Sequence, residues 1–296
     1  MILVAGSTGY LGSEICRRLA AAGKPVRGLV RETADPAKVA ALKAAGVGVV
    51  QGDLRDPISL QAACQGVTTV ISTASSLPFA YIAGENDPQT VDQAGLINLI
   101  DAAQAAGVQQ FIYTSFSGHM DLDFPLRNAK RAVEKHLRQS RLTYTILRPS
   151  YFMEAWLSPT VGFDFAQATA QIYGAGQNPI SWISLQDVAG FAVAGLDNPA
   201  AYNTTLELGG PEALSPLEVV RIFEEIGGRP FTITHVPEES LAEQQQAATD
   251  PMQQSFTGLM RCYAQGDSID MTEIQNAFPD QLTTVRAYAR RMLVPA

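Results

Sequence analysis

Lysine is scarce in this chain, with five in 296 residues, and all basic residues together number 21 against 29 acidic ones, a net charge of −8. That balance excludes a nucleic-acid surface, because neutralising phosphates takes clustered Lys and Arg. The one local gathering of basic residues, "RNAKRAVEKHLRQSR" at 127–141, reads as a helix with a solvated face. Cysteine is nearly absent. Cys16, Cys64 and Cys262 lie far apart with no CxxC, which excludes a disulfide framework and reads as buried or incidental thiols in a reducing compartment. The three histidines, His119, His136 and His235, lack the close spacing of a zinc site, so no metal is expected. No run of about 18 apolar residues is present, and the first residues do not form a charged-then-apolar leader. A cytoplasmic protein without a membrane partner is the expectation.

What the chain does have is apolar residues, 46% of the total, enough for a large core. Short apolar runs at Ile2–Ala5, Val26–Val30, Gly48–Gln51, Thr69–Thr73 and Phe111–Ser115 alternate with helical patterns near 11–22, 36–45, 58–64, 89–106 and 127–139. A further run, "TYTILRP", occupies 143–149. Strands that are apolar throughout and bounded by Gly, Asp or Ser belong to a parallel sheet covered on both faces. The alternation predicts an α/β fold with a doubly wound parallel Rossmann sheet. Beyond residue 150 the pattern changes. "ISWISLQDVAGFAVAGL" at 180–196 reads as a strand leading through Asp187 into a helix. Ser215, Pro216 and Glu218 form an N-cap, first-turn proline and capping box, and the Gln/Ala-rich tail from 240 is helical in propensity. The expected division is 1–150 plus about 180–200 as the Rossmann domain. The remainder, 151–179 and 201–296, forms a smaller α/β C-terminal lobe that binds substrate.

The stretch "ILVAGSTGYLGSEI" at 2–15 places Gly6, Gly9 and Gly12 where the first strand hands over to a helix. A helix N-terminus presents unpaired N–H groups and about half a positive charge, which suits a pyrophosphate. One glycine permits the turn, one lets backbone approach phosphate, and one lets helix pack on strand. Gly6, Ser7, Thr8, Gly9, Tyr10, Leu11 and Gly12 are therefore the expected dinucleotide cradle. At the end of the second strand, "VRGLVRETADPAK" offers Arg31. A guanidinium fork there matches a ribose 2′-phosphate, so the expected cofactor is NADP(H). Glu32 takes the ribose-hydroxyl role of an NAD protein only if the strand runs one residue longer.

Together "AGSTGYLG", "GDLRD" at 52–56, "ISTAS" at 71–75, "FIYTSFSG" at 111–118, Lys130 with Glu134, "TILRPSYFMEAW" at 145–156 and "GPEALSPLEVVRIFEEIGGRPFTITHVP" at 210–237 resemble the NmrA-like branch of the atypical short-chain dehydrogenase/reductases. That branch includes quinone reductases, isoflavone-reductase-like enzymes and catalytically silent NADP(H) sensors. The resemblance implies that Lys38 assists Arg31, that Asp53 accepts from the adenine amino group while Leu54 packs the ring, and that Thr73, Ala74 and Ser75 pass the cofactor ribose. It also implies ribose contact or general-base work for Lys130. A rival reading makes Lys130 half of an i,i+4 pair with Glu134.

The tyrosine that precedes lysine by four residues in ordinary short-chain dehydrogenases is missing, since Leu126 stands there and none of the nine tyrosines has a lysine at +4. His119, titratable near neutrality, is the remaining proton donor on the loop after the fifth strand. Phe116, Tyr151, Phe152 and Trp156 are expected around the nicotinamide, an aromatic set suited to a flat apolar acceptor, or else packed between lobes. The favoured expectation is an NADPH-dependent reductase of a quinone-like or enone small molecule. The alternative is a silent NADP(H) sensor whose redox state changes a protein partner's affinity. A sugar-nucleotide epimerase is disfavoured, because sugar oxidation needs the absent base.

Overall fold

The computed structural model describes residues 1–76 and 81–293. In chain order the elements are β1 (Ile2–Ala5), α1 (Tyr10–Ala21), β2 (Val26–Val30), α2 (Pro36–Ala44), β3 (Gly48–Gln51), α3 (Pro57–Ala63) and β4 (Thr69–Ser72). A π-helical segment, Pro88–Gly95, then runs into α4 (Leu96–Ala105), followed by β5 (Gln110–Thr114), α5 (Pro125–Gln139) and β6 (Thr143–Pro149). The remainder is α6 (Met153–Trp156), β7 (Phe163–Asp164), β8 (Thr169–Tyr173), α7 (Leu185–Ala194), β9 (Thr204–Leu208), α8 (Pro216–Gly227) and β10 (Thr232–Val236). The chain continues through α9 (Glu238–Ala247), α10 (Pro251–Gln265), α11 (Thr272–Ala277) and α12 (Val285–Leu293).

Seven strands form one sheet in the order β3-β2-β1-β4-β5-β6-β9. The ladders from β3 through β6 are all parallel. β1, β4 and β5 are buried along their whole length, which explains why apolar residues run consecutively through their middles rather than alternating with polar ones. The order reverses between β1 and β4, and in open α/β sheets ligands bind beyond the carboxyl ends of the strands at such a switch point. Cys16 and Cys64 are buried free thiols on this sheet's helices, and Cys262 is a third on α10. Burial pushes them up, to about 12 for Cys16 and about 11 for the other two.

The chain divides into two compact units, one of Met1–Ser115, Pro125–Leu147 and Val188–Leu206, the other of Phe116–Phe124, Arg148–Asp187 and Glu207–Ala296. The segment 116–124 thus joins the second unit, whereas the sequence grouped it with the first. Within that unit Ser117 and His119 bond Asp267, and the Gly118 amide donates to Glu207. The first unit's core centres on Leu3, Ile100, Phe111, Val133 and Ile146, with their buried neighbours. The second carries a small sheet, β10-β8-β7, and an aromatic cluster in which Tyr263 meets Tyr151, Trp156, Tyr173 and Trp182 at 5.5–5.9 Å between ring centroids.

Two elements differ from expectation. The 180–186 strand is replaced by isolated bridges at Ile180 and Ile183, and α7 starts at Leu185, before Asp187 rather than after it. Ser184 takes the cap role, its hydroxyl accepting from the Gln186 amide at 3.1 Å, and the Asp187 carboxylate is left to accept from Thr283. The single helix expected over 89–106 is π-helical until Gly95. Asp87 and Thr90 cap that segment reciprocally, and a Cβ at Gly95 would come within 2.8 Å of the Leu54 Cβ, so glycine lets the wide turn lie against the neighbouring loop. The Ser215 capping box forms as the sequence requires. Among the described residues no helix is long and apolar enough to cross a membrane, and no three His, Cys, Asp or Glu side chains are grouped to hold a metal.

Candidate functional site

β1 ends at Ala5, and the chain turns through Gly6 at φ +80, a conformation that favours glycine. A Cβ on Gly6 would lie 2.7 Å from Thr73 Oγ1 and 2.8 Å from the Ala74 amide nitrogen. One on Gly12 would overlap the Gly6 carbonyl oxygen. Gly9 is different. Its backbone is ordinary (φ −81, ψ 167), and a Cβ there would meet only the Gly6 oxygen, at 3.2 Å. Gly6 and Gly12 therefore serve the packing of turn, helix and strand, while Gly9 keeps an outward face bare.

The helix that follows has no side-chain cap and no acidic residue in its first turn. By contrast α2, α3, α8 and α10 are capped by Asp35, Asp56, Ser215 and Asp250. The first amides of α1 thus keep their hydrogen-bonding capacity and the positive end of the helix dipole for an external anion. A bared glycine corner, free amides and the switch point coincide, and this is the shape a dinucleotide pyrophosphate requires. Ser7 is turned inward, its hydroxyl donating to the Leu29 carbonyl at 2.8 Å, and Leu11 packs in the core. Thr8 is half-buried, whereas Gly9 and Tyr10 face solvent.

β2 stops at Val30, which makes Arg31 the first residue beyond the strand; it is exposed and donates to Asn86 Oδ1 at 3.3 Å. Beside it lies a cavity of ≈ 590 Å³ whose walls include Val30, Arg31, Glu32, Pro36, Val39 and Lys43. Lys43, unnoticed in the sequence, lines this cavity, and Lys38 does not. Asp53 is bound by a guanidinium fork from Arg55, Nε to Oδ1 at 3.0 Å and Nη2 to Oδ2 at 2.7 Å. The Arg55 hydrogen bonds hold its carboxyl below the usual range despite partial burial. Leu54 is buried, and Thr73, Ala74 and Ser75 are half-buried at the end of β4. The Thr73 hydroxyl donates back to the Ala5 carbonyl at 3.3 Å, tying β4 to β1 at the turn.

Lys130 is 6% exposed, its Nζ 3.5 Å from the Thr114 carbonyl and 5.5 Å from the Tyr113 ring centroid. Desolvation lowers its pKa, opposed by the charges of Asp92 and Glu134. Glu134, which the sequence offered as its helix partner, also accepts from Ser115 at 2.7 Å and Arg131 at 2.7 Å. Asp92 is fully buried on the π-helical segment, where its Oδ2 takes both the amide and the hydroxyl of Ser76. Ser72 Oγ, Asp92 Oδ1, the Tyr113 hydroxyl and Thr114 Oγ1 are buried with no hydrogen-bond partner. Ser72 and Tyr113 are opposed in register on β4 and β5. Buried polar atoms left without partners are rare in a purely structural core, and π turns concentrate at functional sites. Spacing gave no sign of Asp92, because only the β–α–β topology brings it to Lys130.

In the second unit, His119 and Ser117 both bind Asp267 Oδ1, at 2.9 and 2.7 Å. Phe116 stacks on Phe124 with centroids 6.1 Å apart. Tyr151 is buried, its hydroxyl donating to the Leu259 carbonyl at 3.3 Å and its ring edge-on to Trp156 at 4.6 Å. Phe152 is half-buried at the start of α6, and Trp156 lies flat on Tyr263. The structure brings Tyr151 and Trp156 together as members of one aromatic cluster; Phe116 belongs to another contact.

The NmrA-like family profile matches residues 1–289. The chain belongs to this family. It is 33% identical to the NAD(P)H azoreductase of Xenophilus azovorans over 84% of this chain and 80% of that protein. It is 30% identical to the isoflavone reductase homolog IRL of Zea mays, over 99% of this chain and 98% of that one. The photosystem II assembly factor Ycf39 of Synechocystis is 32% identical over 80% of this chain and 70% of its own length. Among solved structures, the NADPH-dependent quinone oxidoreductase of Escherichia coli complexed with NADPH superposes with a TM-score of 0.78 over 99% of both chains at 24% identity, a likeness of fold.

Proposed function

We propose that this chain is an NADP(H)-dependent reductase of a small, flat, neutral acceptor of the quinone or enone type. The observation that carries the reading is the uncapped N-terminus of α1 behind the bare Gly9 corner, with Arg31 standing at the end of β2. The amides of the cradle bind the pyrophosphate, and the Arg31 fork selects the 2′-phosphate. When bound, the dinucleotide supplies a hydride from its reduced nicotinamide. Lys130, held by burial among Asp92 and Glu134, offers N–H donors to the nicotinamide ribose hydroxyls.

Support comes from the relatives named as a NAD(P)H azoreductase and an isoflavone reductase homolog. The acceptor class rests on charge, since a protein of net −8 disfavours anionic substrates unless they meet a locally positive site. The test is stopped-flow loss of NADPH absorbance against a panel of quinones, enones and azo dyes. Turnover on quinones or enones supports the reading. Tight NADPH binding with no turnover on any member rejects it in favour of a sensor.

A further inference from the structure

The stretch "RPFTITHVP" at 229–237 takes no part in the dinucleotide cradle, and it forms a strand whose outer side is open. β10 stands at one end of the order β10-β8-β7. The strand at the other end, β7, has two residues, too few to template a neighbour. β10 has five, Thr232 to Val236, and the first four are exposed. Threonine, isoleucine and valine favour an extended backbone. Nothing within the strand guards its edge. It holds no lysine, no acid and no proline, the devices by which sheet proteins keep open edges from pairing.

The register with β8 fixes which backbone groups are open. The two strands run parallel, with Thr232 opposite Thr169 and Val236 opposite Tyr173. The Thr232 amide donates to Ala168 O at 2.9 Å, and the Val236 carbonyl accepts from the Gly174 amide at 2.8 Å. In a ladder of this phase alternate residues bond the neighbour. Thr232, Thr234 and Val236 therefore face β8, and the N–H and C=O of Ile233 and His235 point to the open side. No turn or loop amide or carbonyl of the described residues bonds either one.

Two open residues at this spacing are self-complementary. A second β10 laid antiparallel about Thr234 sets Ile233 against the partner's His235, and each such pair exchanges N–H···O=C bonds in both directions. Thr234 meets its own copy on the twofold axis, a favourable cross-strand pair. The pairing ends where the flanks end it. The next residues in phase are Phe231, whose amide already donates to Glu224 Oε1 at 2.7 Å, and Pro237, which has no N–H. Charge points to the same occupant. In this arrangement the segment entering one β10 lies beside the segment leaving the other. Arg229 is on the first, its guanidinium donating to the neutral carbonyls of Phe165 and Ala166, and the exposed Glu238 and Glu239 are on the second. Opposite charges thus meet at both ends of the contact, against the general self-repulsion of a chain of net −8.

We propose that β10 is a dimerisation edge, through which two copies of this chain join their small sheets antiparallel about Thr234. The contact is isologous, as a closed twofold dimer requires. It is a surface of the second unit and is independent of the reductase reading.

Sedimentation equilibrium of the intact chain tests it. The wild type should show a concentration-dependent monomer–dimer equilibrium. Ile233→Pro removes an open N–H from each copy while leaving every bond to β8 in place, a change that edge strands accept. It should weaken dimerisation at least about 10-fold with the melting temperature close to wild type. Thr234→Lys, at an exposed position, sets like charges opposite each other; it should weaken the dimer likewise, and it decides the matter if the proline variant does not fold. Thr234→Cys should cross-link on mild oxidation, because opposed residues of a non-hydrogen-bonded antiparallel pair lie about 4.5 Å apart at Cα, within disulfide reach. Thr232→Cys should not, since its copy lies roughly 14 Å away along the strand. A wild type that stays monomeric up to about 0.1 mM overturns the proposal, even where an extended peptide of another protein adds to the edge. So does a dimer of undiminished affinity in Thr234→Lys, or one that cross-links equally through Thr232→Cys.

Discussion

Replacing Gly9 by alanine separates what the glycine corner does for folding from what it does for binding. The backbone at Gly9 lies in a region that any L-residue adopts, and the new methyl carbon meets a single atom, the Gly6 carbonyl oxygen, at 3.2 Å. Moving that contact out by a few tenths of an ångström is a small strain. Alanine at an N-cap position is worse than glycine by about 0.5 kcal/mol, and its smaller conformational freedom when unfolded returns about 0.4–1 kcal/mol. The net is close to zero, so the apo protein should unfold within about 2 °C of wild type. Binding is another matter. The methyl stands on the face where pyrophosphate approaches the amides of α1, and the loss of one charge-assisted hydrogen bond is about 1.5–3 kcal/mol, or about 10–100-fold in the Kd for NADPH. Gly12→Ala is the control. Its Cβ overlaps the Gly6 carbonyl, the turn must move, and both melting temperature and affinity should fall. Thermal unfolding and fluorescence titration with NADPH read the two quantities on the same samples. Wild-type affinity in Gly9→Ala would falsify the cradle, because no phosphate then approaches that face.

Arg31→Ala should weaken NADPH binding by about 10–100-fold while leaving NADH within about twofold; equal losses for both dinucleotides in calorimetry refute the 2′-phosphate assignment. Ser215→Ala removes one half of the capping box that starts α8 and should cost about 1 kcal/mol in urea unfolding. Asp267→Asn carries a pH signature. Burial raises the Asp267 carboxyl above its ordinary 3.8, against hydrogen bonds from Ser117 and His119 that pull it down. A group raised on folding contributes stability below its unfolded pKa and loses it as pH rises through the folded value. The asparagine variant should therefore gain stability relative to wild type as pH climbs above about 3.8, and denaturation curves that stay parallel from acid to neutral pH refute this.

The sheet was readable because its physics is local. Ile2–Ala5 is apolar on both faces and Val26–Val30 is apolar but for Arg27; the runs end at glycine and arginine, and the strands begin and end where they do. Ser215, Pro216 and Glu218 spell a helix start within four residues, and the cap forms as spelled. The π-helical segment was not readable, since its widened turn leaves no period that differs visibly from an α-helix over eight residues. The tail from 240 shows helical propensity but not its breaks, and it folds as four helices, α9 to α12. Gly6, Gly9 and Gly12 announce themselves as a group, but only the backbone angles tell the packing glycines from the open one. Asp92 and Asp267 were invisible for a common reason. Each meets its partner through tertiary topology, Asp267 reaching His119 across 148 residues of chain, and a lone aspartate in sequence looks like any solvated acid.

The sulfur atoms give the protein an internal clock. Cys16, Cys64 and Cys262 hold their protons far above neutrality, and a thiol without thiolate scarcely reacts with alkylating reagents. Modification of native protein must then wait for an opening event. Two of the reporters lie in the first unit and one in the second, so mass spectrometry of a timed alkylation resolves how often each half of the molecule breathes, with no label engineered in.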